Sequence, residues 1–254
     1  MRDLHGKTAW ITGAGSGIGA GAALALAGAG MNLVLSGRRE SQLAEVAAAL
    51  KAKGTSARTL PLDVADAAAV ESAVADIGAR EGRVDVLVNS AGVNVVRRNW
   101  RHLSRADWDQ IIRIDLDGAF YCCHAVLPLM RAQKDGLIVN ISSWAGRHVS
   151  TTTGPAYSAA KFGMNAFTES LNIEECVNGI RATALCPGEV ATPILDKRPI
   201  PVSPADRARM VQAEDVGDLI LFLASMPAHV CINDVTISPT WNRGYVAQAR
   251  TIPE

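Results

Sequence analysis

Tyr157 and Lys161 stand four residues apart in a stretch with helical spacing, roughly Ala156–Val177, so both side chains leave one face of the helix. A free phenol, with a pKa of about 10, is a poor base at neutral pH. An ammonium held beside it favours the phenolate, which can take a proton from an alcohol and return one to a carbonyl. A Tyr-x-x-x-Lys spacing is common, so its meaning depends on what surrounds it. The second chemically informative run is Gly13-Ala14-Gly15-Ser16-Gly17-Ile18-Gly19. It follows a short apolar run, Thr8–Thr12, and opens an Ala-rich helix. Glycines there permit a tight turn and let backbone N–H groups approach a pyrophosphate, while the helix N-terminus adds a favourable dipole. A strand before and a helix after are the context a dinucleotide site requires.

The elements that must position these groups alternate along the chain. β-branched runs recur at Thr8–Thr12, Asn32–Ser36, Ala57–Pro61, Val84–Asn89, Leu137–Ile141 and Arg181–Cys186. Between them lie helical patterns, roughly Ile18–Gly28, Glu40–Lys53, Ala67–Gly82, Ala106–Arg131 and Ala156–Val177. Most strands are apolar on both faces, which predicts a parallel sheet covered by helices on both sides. Gly54, Gly82 and Gly179 are placed to end helices. No linker, repeat or low-complexity tract divides the chain, so residues 1–254 read as one doubly wound, Rossmann-type α/β domain. Five prolines between Cys186 and Ala205 rule out one continuous helix there. This excursion, taken as 186–212, follows a strand's carboxyl end, where a substrate loop or lid would sit. A helix near Ala213–Ala224 and a strand near Asp234–Ser238 follow.

Composition narrows the function classes. The 25 Lys and Arg balance 25 Asp and Glu, so no global field favours nucleic acid or an anionic membrane. No secretory leader or membrane-length apolar stretch is recognisable. The five cysteines show no metal-ligand spacing, so no metal is expected. They read as reduced, buried residues of a cytoplasmic protein.

The ordered motifs resemble those of the short-chain dehydrogenase/reductase family. Gly13, Gly17 and Gly19 match its GxxxGxG. Asn89-Ser90-Ala91-Gly92 is similar to its NNAG, with Ser90 the deviation. Asn140-Ile141-Ser142-Ser143, Tyr157-x-x-x-Lys161 and Pro187-Gly188 with Thr192 complete the set, and the similarity runs from about Leu4 to Pro239.

The resemblance implies a nicotinamide dinucleotide. Gly13, Gly15, Ser16, Gly17, Ile18 and Gly19 would hold the pyrophosphate. Asp63 and Val64 would meet the adenine, and Asn89, Ala91 and Gly92 the ribose. Pro187, Gly188 and Val190 would flank the nicotinamide, with Thr192 on its carboxamide and Tyr157 and Lys161 also at the cofactor, Lys161 bonding the nicotinamide ribose. After the second strand an acid would bind the ribose of NAD, whereas a cation would pair with the 2′-phosphate of NADP. Gly37 stands where NAD-preferring relatives place Asp, and Arg38 and Arg39 follow it. NADP(H) is therefore favoured, with NAD(H) the alternative that Ser16 supports, since many NADP-using relatives carry a basic residue there.

Ser143 resembles the family's catalytic serine, which steadies charge on the substrate oxygen, with Ser142 the adjacent candidate. The stretch Trp144–Ala156 is one residue longer than usual, giving an individual pocket wall to which Trp144, His148 and Trp100 are candidates. Asp115 is a departure: the family has Asn there, whose amide helps position a relay water, so Asp115 is retained as a catalytic candidate with an altered role. The Pro239-Thr240 ending is a second departure, and the mixed tail 241–254 either packs on a partner subunit or stays loose. Together these point to hydride transfer between NADP(H) and an alcohol or carbonyl small molecule, in a homodimer or homotetramer using the helices Ala106–Arg131 and Ala156–Val177. The alternatives are an epimerase or lyase-like activity on the same site, and a cofactor-sensing binding protein that has lost chemistry.

Overall fold

Consecutive strand residues, buried on alternate faces of the sheet, build the two-sided core. The computed structural model describes residues 1–251. Strand β1 (Thr8–Thr12) sends Ala9 and Ile11 to one face of the sheet and Trp10 to the other. Strand β2 (Asn32–Gly37) does the same with Leu33 and Leu35 against Val34. Strands β3 (Ala57–Pro61), β4 (Val86–Asn89), β5 (Gly136–Ile141), β6 (Ile180–Pro187) and β7 (Asp234–Ile237) complete a seven-stranded sheet in the order β3-β2-β1-β4-β5-β6-β7. Every pairing is parallel.

Helices α1 (Gly17–Gly28) and α2 (Glu40–Ala52) cover one face, and α8 (Ala213–Ser225) joins them there. Helices α3 (Ala67–Glu81), α4 (Arg105–Ile112), α5 (Gly118–Gln133) and α6 (Pro155–Glu175) lie toward the other. Short helices α7 (Pro204–Arg207) and α9 (Arg243–Ala249) belong to the C-terminal quarter. Helices α1 and α8 cross backbone to backbone. A Cβ on Gly21 would lie 2.2 Å from the Ala213 carbonyl oxygen, and one on Gly217 would lie 2.4 Å from that of Gly21. The strand order reverses between β1 and β4, so their carboxyl ends open a crevice where α/β sheets bind ligands.

Three differences from the sequence reading have physical causes. The helix expected over Ala106–Arg131 is interrupted by a π turn, Arg113–Asp117, which joins α4 to α5. One extra residue in a turn leaves hydrophobic spacing almost unchanged, yet it re-aims the side chains it carries. Second, α9 forms in the tail, capped by Asn242, whose Oδ1 accepts from Gly244 N–H at 2.9 Å. The tail reading therefore holds structure up to this helix, and its last residues, 252–254, lie outside the described ones. Third, all five cysteines are free but only Cys122, Cys123 and Cys186 are buried, while Cys176 and Cys231 are exposed. Cys176 falls in a 3-10 turn after α6, and Cys231 precedes the edge strand β7, where the sheet offers less cover. Among the described residues, no helix is long and apolar enough to cross a membrane, and no cluster of metal-ligating side chains occurs.

Candidate active site

One cleft runs along the carboxyl ends of the strands, from the glycine turn after β1 to the loop after β6. The turn is shaped by close approach. Gly13 has φ +63°, and a Cβ there would lie 2.7 Å from the backbone of Ser90 and Ala91. Gly17, at φ +54°, faces Thr192, whose Cγ2 lies 3.1 Å from where its Cβ would be. Ser16 precedes α1 with no side-chain cap, and the first turn of the helix holds no acidic residue. The helix therefore presents its first amides and the positive end of its dipole to the cleft without an internal competitor.

Gly13, Gly15, Ser16, Gly17 and Ile18 line this end, joined by Arg38, Arg39, Asp63, Val64, Ala91 and Gly92. Gly13 and Gly17 leave little room for a side chain, no side chain caps the helix start, and a cation stands at the far rim. These residues fit a dinucleotide. Two of the expected residues do not line the cleft. Gly19 packs beneath the turn, where a Cβ would meet the Gly13 carbonyl oxygen at 2.4 Å. Asn89 turns into the core, donating to Asn140 Oδ1 at 2.9 Å and to Cys123 Sγ at 3.2 Å. Its side chain ties β4 to β5 under the site. Thr12, the last residue of β1, holds the loop after β4: its hydroxyl accepts from Ser90 N–H at 3.2 Å and Ala91 N–H at 3.4 Å.

The other end carries Ser142, Ser143, Tyr157, Lys161, Pro187, Gly188, Val190 and Thr192. Strand β5 delivers the serines and α6 delivers Tyr157 and Lys161. Pro155 sits in the first turn of α6, where its missing N–H costs nothing. Ser142 is buried, and its hydroxyl is committed as a donor to the Lys161 carbonyl oxygen at 3.2 Å. Ser143 caps the following 3-10 turn through Ala145 N–H and remains partly exposed, so it is the serine available to a ligand. The Lys161 ammonium lies 5.5 Å from the Tyr157 ring centre and donates to the Ile141 carbonyl oxygen at 2.9 Å. Trp100, a wall candidate, is 82 % exposed, and Trp144 packs instead on His148 and Tyr245.

Asp115 is brought inward by the π turn and is wholly buried. Its Oδ1 accepts from Val93 N–H at 2.8 Å, and its Oδ2 lies 3.7 Å from Lys161 Nζ. That Oδ2 has no hydrogen-bond partner among the described residues. Burial pushes the Asp115 carboxyl up to about 6, opposed by Lys161 and the Val93 amide. A nearby ammonium and an amide thus recover only part of what desolvation costs. Asp115 stands behind Lys161 and under Gly92, one layer below the cleft surface.

Sequence reasoning missed the cleft residues Asn94, Arg98, Thr152, Thr153 and Arg198. All lie on loops without a motif, and only the extra residue in 144–156 hinted that this wall was unusual.

The short chain dehydrogenase family model matches residues 7–200. The chain belongs to the short-chain dehydrogenases. It is 34 % identical over 243 residues to an uncharacterized oxidoreductase of Staphylococcus saprophyticus, covering 94 % of this chain and all of that one. It is 37 % identical over 238 residues to the oxidoreductase UcpA of Salmonella typhimurium, covering 89 % and 90 % of the two chains. A metagenomic short-chain oxidoreductase solved in complex with NADP superposes with a TM-score of 0.82 at 30 % identity, covering 94 % and 99 %. As a short-chain dehydrogenase, the chain is an NAD(P)-dependent oxidoreductase that acts on small molecules.

Proposed function

We propose that this enzyme interconverts a secondary alcohol and its carbonyl compound with NADP(H), using Tyr157 as the proton-transferring group. The observation that carries the reading is the convergence of Ser143, Tyr157 and Lys161 on the same cleft as the glycine turn. When bound, the nicotinamide supplies or accepts the hydride. Ser143 would hold the substrate oxygen and steady charge developing on it. Tyr157 would donate a proton to that oxygen in reduction and remove it in oxidation. Lys161, fixed by the Ile141 carbonyl oxygen, holds its side-chain nitrogen 5.5 Å from the phenol ring centre, beside the group that would exchange the proton.

The NADP preference rests on the rim beside Gly37. No carboxylate grows from that position to repel a phosphate. The Arg38 side chain is 53 % exposed and 3.9 Å from Asp63, a loose pair that leaves most of its donors free. Arg39 is exposed beside it. A guanidinium so placed can take a phosphate through charge-assisted hydrogen bonds. The metagenomic relative solved with NADP supports the same choice. Fluorescence titration of the purified protein with NADPH and with NADH tests it. Tighter NADPH binding that Arg38→Ala selectively weakens is the expected result, and tighter NADH binding would refute it.

Residues 186–212 are proposed to form the substrate loop: Thr192 and Leu195 line the cleft, and Val190 bridges back to Val211. We further propose a cytoplasmic homodimer or homotetramer assembled through α5 and α6. Phe120, Phe162 and Ile173 project from those helices into solvent, and gel filtration or light scattering gives the mass directly.

A further inference from the structure

The wall of the cleft facing Tyr157 holds a charge that the proton-transfer chemistry does not use. Arg98, in the loop between β4 and α4, is only 5 % exposed and lines the cleft. Its Nη1 donates to the Thr152 carbonyl oxygen at 3.3 Å, and its Nη2 to that of Lys197. A guanidinium has five N–H donors. Its Nε, buried, has no partner among the described residues, and no carboxylate there reaches ion-pair distance of Arg98.

The surroundings add positive charge. Arg198 also lines the cleft, and its Nη1 lies 2.7 Å from Glu189 Oε1. Glu189 is shared, since Arg243 donates to it through Nε at 2.8 Å. Glu189 thus answers Arg198 and Arg243, and leaves Arg98 without a carboxylate partner among the described residues. Burial and the like charge of Arg198 both weaken the hold of Arg98 on its proton, while Tyr157 is near enough to oppose them. A buried, uncompensated cation is costly unless something of opposite charge completes it.

We propose that Arg98, supported by Arg198, binds a carboxylate on the substrate, so that the enzyme acts on keto acids and hydroxy acids in preference to uncharged carbonyl compounds. This rests on the oxidoreductase reading above and narrows it. A guanidinium with donors to spare matches a carboxylate, and Arg98 lines the same cleft as Tyr157, where the reacting oxygen would sit. Its bonds to the Thr152 and Lys197 carbonyl oxygens hold the fork between the loop after Ser143 and the substrate loop. A substrate carboxylate would thus fasten both loops around itself.

The test compares α-keto and β-keto acids with their methyl esters, following NADPH oxidation. The acids should be preferred by about tenfold or more in kcat/KM, the scale of one charge-assisted hydrogen bond. In Arg98→Met the acid-to-ester ratio should collapse toward one, chiefly through KM for the acid, and Arg98→Lys should fall between. Equal use of acid and ester by the parent would overturn the proposal. So would a loss in Arg98→Met that strikes both alike, the mark of a residue that only ties the loops. Should Arg98→Met not fold, Arg198→Ala must lower the same ratio, and an unchanged ratio counts against the proposal. If no carbonyl compound oxidises NADPH, the reading of the reaction fails instead. The anion site is then decided by adding malonate to the NADPH complex and following cofactor fluorescence. Saturable binding weakened by Arg198→Ala supports it, and no binding refutes it.

Discussion

Replacing Asp115 by Asn should make the protein's stability less sensitive to pH, in a window set by burial. In the folded chain the carboxyl sits at about 6, against an ordinary value of 3.8. The folded state therefore holds this proton more tightly than the unfolded state between about pH 4 and 6. Stability from this group is greatest below pH 4 and falls as pH rises through 6, after which the full cost of an ionised, buried carboxylate is present. The difference is worth roughly 3 kcal/mol, an order-of-magnitude figure. It already includes the attraction of Lys161, 3.7 Å away, which Asn would not supply. Asp85 and Glu189 behave oppositely, their carboxyls held below the usual range by hydrogen bonds from arginines. They are common to both proteins and cancel in the comparison. Urea unfolding of parent and Asp115→Asn across pH 4 to 8 gives the difference directly. Asp115→Asn should gain on the parent as pH rises to about 6 and then hold a constant lead, the change approaching 3 kcal/mol. A difference independent of pH, or one that grows toward acid, would refute the reasoning.

Two other outcomes follow from the same geometry. Asp115→Asn should retain NADPH-dependent turnover within about tenfold of the parent, or roughly 1.4 kcal/mol in barrier, because Asp115 lies one layer behind Lys161; a larger loss in steady-state kcat would mean the acid itself takes part. Gly21→Ala should destabilise by about 1–3 kcal/mol in thermal or urea unfolding, since its Cβ would sit 2.2 Å from the Ala213 carbonyl oxygen and force α1 and α8 apart; an unchanged midpoint would show that the crossing can relax.

The strands were the most legible part of the chain. Thr8–Thr12 and Ala57–Pro61 fall where the β-branched runs end, because Gly13 and Gly6 break one and Gly54 precedes the other. Tyr157 and Lys161 were legible because a helix fixes the angle between residues four apart. Asn89 was not: its partners Asn140 and Cys123 are 51 and 34 residues away, and no local pattern says which neighbour an amide will choose. The same holds for Arg98, whose acceptors lie 54 and 99 residues along the chain. In a sequence with 25 Lys and Arg, nothing local marks Arg98 as one of the few that folding buries, with Lys161 and Arg181. Asp115 was flagged by its residue type, but the π turn that drives it inward leaves no mark on the hydrophobic spacing.

Tyr157 is proposed to move the proton in a cleft whose glycine turn would hold most of the cofactor. Tyr157→Phe tests it most directly, with NADPH binding and single-turnover oxidation measured on one preparation and a responsive carbonyl substrate. NADPH affinity should stay close to the parent's while the hydride-transfer rate falls by about a hundredfold or more, the usual contribution of a positioned general acid. A variant that binds NADPH and turns over at nearly the parental rate would contradict it.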